Sequence, residues 1–372
     1  MTRKALCIAI AVMFAITMLL GGCGGSAQQT SKDSGAGEAD NGKIYKLTFA
    51  GFFAANSPWH TTVYQPWVEE ITKNTNGRVI IEDYPGSALL PIGKIYDGTV
   101  TGTVDMGFDS LSLVDGRFPL CDLLSKPGHP FESGECASRV FQDMIDILKP
   151  AELQDAVILF TMASGPGNFH TVKPVRKLED LAGMEIRCIG ADAPCVTALG
   201  AKPVSMSHAD SYDALQKGII NGSLGHNDIL PAWHIAEVTN YTTITPFLYN
   251  STFTLTINPD VWNSLPADIQ EGIKKASEKI FEERSVHFMD EEATKGLEYA
   301  LQEASGHEII YLSPEEQQRW IEKVAFILDD YVEELNQKGL PGTQAKELMF
   351  ELGEKYNKVH EEWLAQQEQQ GK

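Results

Sequence analysis

Tyr45-Lys46-Leu47-Thr48-Phe49-Ala50, read with the sixty residues after it, decides the fold. The segment alternates apolar and polar side chains as a half-buried strand does. Residues 59–73 then space their apolar positions as a helix, Asn76-Gly77 marks a turn, and Arg78-Val79-Ile80-Ile81 reads as a second strand. A helix over 89–99 and a strand over Val104-Asp105-Met106-Gly107-Phe108 complete the unit. Strands alternating with helices predict a parallel, layered α/β sheet.

The pattern restarts after residue 150. Val157-Ile158-Leu159-Phe160 is a strand, Leu178-Glu179-Asp180-Leu181 a helical turn, and Glu185-Ile186-Arg187-Cys188 a strand. Helices over 194–199 and 209–217, a strand near 219–224 and Phe253-Thr254-Leu255-Thr256-Ile257 follow. The last third is helical. Residues 266–304 form a long run with a glycine at 296, and Ser313-Pro314-Glu315-Glu316 supplies a cap, a first-turn proline and a capping glutamate. Gly339-Leu340-Pro341-Gly342 breaks to a final charged helix ending near Glu368.

Upstream lies a different kind of sequence. Met1 is followed by Arg3 and Lys4, an apolar run over 5–19, and Leu20-Gly21-Gly22-Cys23. A basic start, a short apolar core and small residues before a cleavage point describe a secretory signal, too short for a membrane span. Leucine and two glycines before a cysteine resemble the lipobox of bacterial lipoproteins, making Cys23 the lipid-bearing residue. The alternative is an ordinary signal peptide with a chance cysteine; both place the protein outside the cytoplasm. Residues 24–42 hold no large apolar side chain and read as a tether. The remaining ~330 residues exceed what one core usually supports, so two domains are expected.

The net charge of -21 argues against nucleic acid and against an electrostatic grip on anionic lipid. An anionic ligand would need a few local cations. Cys121, Cys136, Cys188 and Cys195 suggest disulfides in an oxidising compartment, Cys121–Cys136 with Cys188–Cys195 being the shortest-loop choice of three. Metal spacing and CxxC are absent from the sequence, and no cofactor fingerprint occurs.

In order and spacing, the motifs resemble the extracytoplasmic solute receptors of tripartite ATP-independent periplasmic (TRAP) transporters, the DctP-like family. The likeness rests on Ser57-Pro58-Trp59-His60, Tyr84-Pro85-Gly86-Ser87 and Leu181-Ala182-Gly183-Met184-Glu185-Ile186-Arg187. Ala198-Leu199-Gly200-Ala201-Lys202-Pro203-Val204-Ser205-Met206, Tyr212-Asp213-Ala214-Leu215-Gln216-Lys217-Gly218 and Trp262-Asn263-Ser264-Leu265-Pro266 extend it. It implies an α/β, two-domain, periplasmic-binding-protein-like fold with hinge strands and a long bridging helix. The expected division is signal 1–22, tether 23–43, one domain over 44–164 plus 250–290, a second over 165–249 plus 291–340, and a terminal helix over 341–372. A small organic acid would sit between the domains and pass to a membrane permease, the receptor being held to the membrane by Cys23.

Arg187 is the residue that resemblance marks as gripping the solute's carboxylate. A guanidinium suits that task, offering two parallel donors and a permanent charge. The competing reading is a buried arginine paired with Asp109 or Asp192. Relatives that bind C4-dicarboxylates or sialic acid often carry Gln-Glu-Asn-Pro where this chain reads Ser223-Leu224-Gly225-His226-Asn227-Asp228, and a second arginine common near Gly165-Pro166-Gly167-Asn168 is absent. A less cationic pocket favours a monocarboxylate, its body against Phe52, Phe53 or Phe108. Asp109, Ser110, Asn168, His170, His208, His226, Asn227 and Asp228 are further candidate ligand contacts. Each could equally serve local structure. Cys188–Cys195 would stiffen the turn beside Arg187.

Two other classes stand beside this one. A sensory receptor on the same fold differs only in what reads its occupancy. A secreted hydrolase would need a nucleophile, but Ser164 in Met162-Ala163-Ser164-Gly165-Pro166-Gly167 lacks the glycine two places before it, and HExxH is missing. No catalytic residue is assigned.

Overall fold

The computed structural model describes residues 42–114, 116–303 and 306–370. The signal segment, most of the tether and Cys23 lie outside the described residues.

From its N-terminal side the chain lays down β1 (Tyr45–Gly51), α1 (Gln65–Asn74), β2 (Val79–Tyr84), α2 (Ile95–Val100), β3 (Met106–Ser110), the short α3 (Pro119–Asp122) and α4 (Gly134–Leu148). It continues with β4 (Val157–Ala163), β5 (Asn168–Thr171), β6 (Glu185–Cys188), α5 (Ala193–Ala198), β7 (Lys202–Ser205), α6 (His208–Gln216) and β8 (Gly222–Gly225). Then come α7 (Ile229–Ala232), β9 (Tyr241–Ile244), β10 (Thr252–Ile257), α8 (Pro259–Ser264), α9 (Ala267–Ile280) and α10 (Val286–Glu303). The strand β11 (Glu308–Tyr311) and the helices α11 (Pro314–Gln337) and α12 (Gly342–Gln370) close the chain.

Two sheets result, one in the order β2-β1-β3-β10-β4 and one in the order β11-β9-β5-β8-β6-β7. Both are mixed, which corrects the parallel expectation. β10 runs antiparallel between β3 and β4, and β5 runs antiparallel to β8 and β9. The reason is connectivity: β4 leaves one sheet and β5 enters the other, and β9 returns to β10. The two crossings hydrogen-bond to each other, Ser164 N to Ser251 O at 2.8 Å and Gly167 N to Tyr249 O at 3.1 Å. A strand that arrives from another sheet need not follow the right-handed crossover rule for parallel strands.

The first sheet packs on α1 and α9 through Phe49, Trp67, Ile71, Ile269 and Ile273. Trp67 is fully buried and donates its indole N–H to Ser277 Oγ at 3.0 Å, so its polar atom is satisfied. The second sheet buries Phe169 and Ile186, with Val196 of α5, against Trp320 and Val324 of α11. A third cluster joins α4, α11 and α12 through Phe141, Leu328 and Met349.

The sequence signal for one continuous helix over 266–304 resolves into α9, a wider turn over Phe281–Ser285, and α10. Gly296 is where α10 meets the second sheet. A Cβ there would stand 2.2 Å from the carbonyl oxygen of Asn227, so only glycine lets the helix approach this loop. The helix expected over 89–99 begins only at Ile95. The strands β5, β7, β9 and β11 are four residues each, too short to show a period, whereas α4 places Val140, Phe141, Met144 and Ile145 at helical spacing and was legible but unread.

Candidate functional site

Arg187 sits in the middle of β6, paired in register with Val204 of β7 and Ser223 of β8. A strand flanked on both sides buries its side chains, and this one is 2% exposed. Its guanidinium reaches the carboxyl ends of the neighbouring strands. Nε donates to Met206 O at 2.9 Å, and Nη1 donates to Leu224 O at 3.3 Å and to His208 Nε2 at 3.0 Å. Among the described residues no carboxylate lies within salt-bridge distance, and Nη2 has no hydrogen-bond partner. The expectation that Asp109 or Asp192 might neutralise it is therefore not met. Burial lowers the pKa of Arg187, opposed at longer range by Tyr249, Asp192 and Cys188, so Asp192 acts on it through space without forming a salt bridge. A buried cation without an anion costs several kcal/mol, which an incoming carboxylate would offset.

His208 is fixed by the same contact. A guanidinium can only donate, so Nε2 is the acceptor and the ring proton sits on Nδ1. That Nδ1 is buried with no partner. Burial, and then Arg187, lower its pKa to about 3. Trp233, largely exposed, stacks on the imidazole at 6.3 Å between centroids.

His226 leaves the end of β8 and joins Ser164, its Nε2 2.9 Å from Ser164 Oγ. Ser164 Oγ also accepts from Ser251 N at 2.8 Å, so this bond ties the second sheet to both crossings. Burial, and then Arg187, lower the pKa of His226 to about 4, and its ring leans on Tyr249 at 5.1 Å. Arg187 is thus the one cation in a group whose two histidines are neutral near pH 7.

A cavity of about 310 Å³ lies near the arginine, which is not itself part of its wall. Leu224, whose carbonyl accepts from Nη1, forms part of its wall, with Asp192, Tyr249 and Asn250 from the second-sheet side and Ser112 and Lys126 from the first-sheet side. It lies beyond the carboxyl ends of strands, where open α/β sheets usually bind ligands.

The other sequence candidates divide. Asp109 is corrected: its carboxylate accepts from Gly93 N, Tyr96 N and Ser110 N at 2.7–2.9 Å and anchors the start of α2. Asn168 donates to Asn227 Oδ1 at 2.9 Å and accepts from Thr245 N at 2.7 Å within the crossings, and both asparagines also line a second cavity of about 960 Å³. That bond engages the amide oxygen of Asn227. His170 is fully buried in the sheet between Thr242 Oγ1 (3.0 Å) and Gly225 O (3.2 Å), and Thr242 continues to His307. These contacts are structural.

Asp228 starts α7 with its Oδ1 buried and unpartnered; burial, then Glu292 of α10, raise its pKa to about 6. Phe53 belongs to the core with Phe49 and Tyr64. Half-buried Phe52 stacks on Phe108 and Phe253, and Trp59 meets Phe52 edge-on. Ser110 is buried at the end of β3, and its hydroxyl makes no hydrogen bond among the described residues.

Cys121, Cys136, Cys188 and Cys195 are all free and buried, which corrects the disulfide expectation. Each thiol packs among apolar side chains, and burial pushes Cys188 up to about 11. Sequence reasoning missed Tyr249, Lys126 and the Ser164–His226 bond. Tyr249 carried one signal in hindsight: its ring would lie 1.9 Å from a Cβ at Gly167, so Gly167 was glycine for a reason. Among the described residues no cluster of ligating side chains could hold a metal ion, and no helix is long and apolar enough to cross a membrane.

Two sheets joined by hydrogen-bonded crossings, with a buried guanidinium beside the crevice, define a receptor for a small solute. The comparisons agree. A TRAP periplasmic solute binding protein from Desulfovibrio salexigens in its open form is 31% identical, with a TM-score of 0.77 over 85% of this chain and 97% of that one. A TRAP solute binding protein from Rhodoferax ferrireducens, with copurified benzoate, is 27% identical, with a TM-score of 0.75 over 85% of this chain and 100% of that one. Among curated relatives, the C4-dicarboxylate-binding periplasmic protein DctP of Rhodobacter capsulatus is 25% identical over 73% of this chain and 82% of its own length. Residues 49–335 match the bacterial extracellular solute-binding protein family 7, DctP, and the chain belongs to that family. It is a TRAP solute-binding receptor, of a family that binds small organic acids and works with membrane permeases.

Proposed function

We propose that this receptor captures a monocarboxylate between its two lobes, with Arg187 holding the carboxylate, and passes it to the permease. The lobes are 44–164 with 250–290, and 165–249 with 291–340, followed by the terminal helix from 341. Lipid at Cys23 tethers the receptor to the membrane. The observation that carries the reading is the buried Arg187 guanidinium, which has two carbonyls and a neutral histidine as partners and no anion. A single positive charge flanked by neutral His208 and His226 suits one carboxylate better than two. The copurified benzoate of the Rhodoferax ferrireducens relative is a ligand of that kind. Ser110 and His208 Nδ1 offer further hydrogen bonds, and Phe52 with Trp59 an aromatic wall.

A thermal-shift panel of benzoate, short monocarboxylates, succinate and malate tests it, because a ligand bound to the folded form raises Tm by mass action. Monocarboxylates should give the larger shifts, and Arg187→Ala should abolish them. A panel led by dicarboxylates, or unchanged binding in the variant, overturns the reading.

A further inference from the structure

Asp192 ends the turn Gly190–Asp192 between β6 and α5, at the position that precedes the first residue of the helix. Aspartate there ordinarily turns back to accept from the helix's first free amides. This one makes no such bond. Asp192 as a residue is 8% exposed, its carboxylate has no hydrogen-bond partner among the described residues, and it opens onto the cavity near Arg187, whose wall it helps to form. A buried carboxylate left without donors is expensive, and such groups are rare unless something completes them.

The same wall holds a second unsatisfied acceptor. Asn250 donates its amide to Ser164 O at 2.8 Å, which fixes the side chain's orientation, and its Oδ1 is buried with no partner. Asp122, Asp330 and Glu334 also line the cavity, against one cation, Lys126. That ammonium is already engaged with the Tyr331 ring, 4.3 Å from its centroid. The cavity therefore offers acceptors and negative charge, whereas the nearby arginine offers donors and positive charge.

We infer that the solute is zwitterionic: an organic acid carrying an amino group, whose carboxylate meets Arg187 and whose ammonium enters the cavity to pair with Asp192. This rests on the carboxylate-receptor reading and narrows it. Leu224 connects the two ends, its carbonyl held by Arg187 and its residue forming cavity wall. An ammonium satisfies three acceptors at once, which a hydroxyl cannot, and both Asp192 and Asn250 stand unfilled. It also removes the charge imbalance on each side of Leu224.

The test uses matched probes on the full chain, by calorimetry and thermal shift at about pH 8, where carboxylates are ionised and alkyl amines protonated. Acetate, propionate, butyrate and valerate are compared with glycine, 3-aminopropionate, 4-aminobutyrate and 5-aminovalerate, and benzoate with 4-(aminomethyl)benzoate. In at least one pair the amino acid should bind roughly tenfold or more tighter than its parent, a difference of about 1.4 kcal/mol. In Asp192→Asn that advantage should fall below about threefold. The variant is nearly isosteric, and its melting curve without ligand shows whether it folds.

If parent acids bind as well as their amino partners, the inference is overturned and the carboxylate reading survives. An amino preference that persists in Asp192→Asn also overturns it. If no member of any series binds, the carboxylate reading falls and the inference with it.

Discussion

Arg187 Nη1 donates to His208 Nε2 at 3.0 Å, and this one bond sets the chemistry of both residues. It holds the imidazole in the tautomer with hydrogen on Nδ1, and it keeps a proton off Nε2, because a second cation there would oppose the guanidinium. The result is a buried charge with a neutral neighbour whose remaining N–H has no protein partner. Polar groups in that state are found at sites that a ligand completes.

Arg187→Met follows from this directly. Removing an unpaired buried cation and filling its volume with an apolar side chain should leave the unliganded protein at least as stable as wild type. Carboxylate binding should weaken by about 2–5 kcal/mol, roughly 30-fold to several-thousand-fold in Kd. Calorimetry with the panel's strongest carboxylate, beside melting curves without ligand, checks both halves. A variant that binds normally removes Arg187 from the site, and one that is much less stable shows that the charge was paired after all.

How much of this was legible in the sequence depends on the kind of signal. β1, β6 and β10 announced themselves through apolar alternation or short apolar runs, and the segment ending in Arg187 also matched a family pattern. α4 carried a local signal as well, Val140, Phe141, Met144 and Ile145 at helical spacing behind Ser133, whose Oγ accepts from Cys136 N; what lay hidden was Asp290, which accepts from Gly134 N and Glu135 N. Two of those three bonds come from a residue 155 or more positions away, which local pattern cannot reveal. β5 is four residues long and its polar members, Asn168 and His170, are buried by partners on β8 and β9. In sequence they look like exposed ligand contacts. Asp109 misled for the same reason, since two of its three amide donors, Gly93 and Tyr96, come from a loop and helix start fixed only by the fold. Arg187 was legible because charge in an apolar strand is conspicuous; Asp192 was visible only as its possible partner, because its lack of a cap bond is a three-dimensional fact.

Gly296→Ala probes the approach of α10 to the second sheet. In an isolated helix this change is favourable, since alanine is the better helix former by about 0.8–1 kcal/mol. Here the new Cβ would stand 2.2 Å from Asn227 O, and backbone cannot swing aside as a flexible side chain does. The helix or the loop must shift, and overpacking of this kind costs about 1–3 kcal/mol. A lower Tm in scanning calorimetry is the expected outcome. A rise in Tm would mean that helix and loop do not touch at Gly296.

Asp192 gives the receptor a pH signature. Burial, partly offset by Arg187 and Lys126, raises its pKa from 3.8 to about 7. Between those values the folded state holds a proton that the unfolded state has released, so stability is fully present below the lower value and is lost as pH rises through the upper. Asp192→Asn removes the titration. Without ligand, its Tm should match wild type near pH 4 and exceed it by several degrees near pH 8. Parallel curves for the two proteins across that range would show that Asp192 titrates normally.

The C-terminal helix carries a pH dependence of its own, set by a carboxylate and a histidine that act in opposite senses. Buried Glu135 of α4 receives Arg139 Nε at 2.9 Å and His360 Nδ1 of α12 at 3.0 Å, with His287 Nδ1 at 3.4 Å. Trp363 of α12 stacks on the His287 ring at 4.4 Å, so α12 is held on α4 and α10 through this group. Burial works to raise the pKa of Glu135, but the two histidines and Arg139 outweigh it and hold the carboxyl well below the usual range. For His360, burial works downward and is outweighed by Glu135, Asp290 and Glu132, leaving the pKa raised above 6.5. The Glu135 contribution is present above about pH 4.5 and lost in acid. The His360 contribution is present below about pH 6.5 and lost as pH rises through its higher folded value. Docking of α12 should therefore be firmest in mildly acidic solution and loosen toward pH 8 or 9. Hydrogen exchange of the α12 amides, corrected for intrinsic rates, should show less protection at the higher pH, and His360→Gln should flatten that difference. Equal protection at both pH values in wild type would mean that the helix is held by its apolar contacts, Met349 and Leu352 among them, and that the histidine adds nothing to its docking.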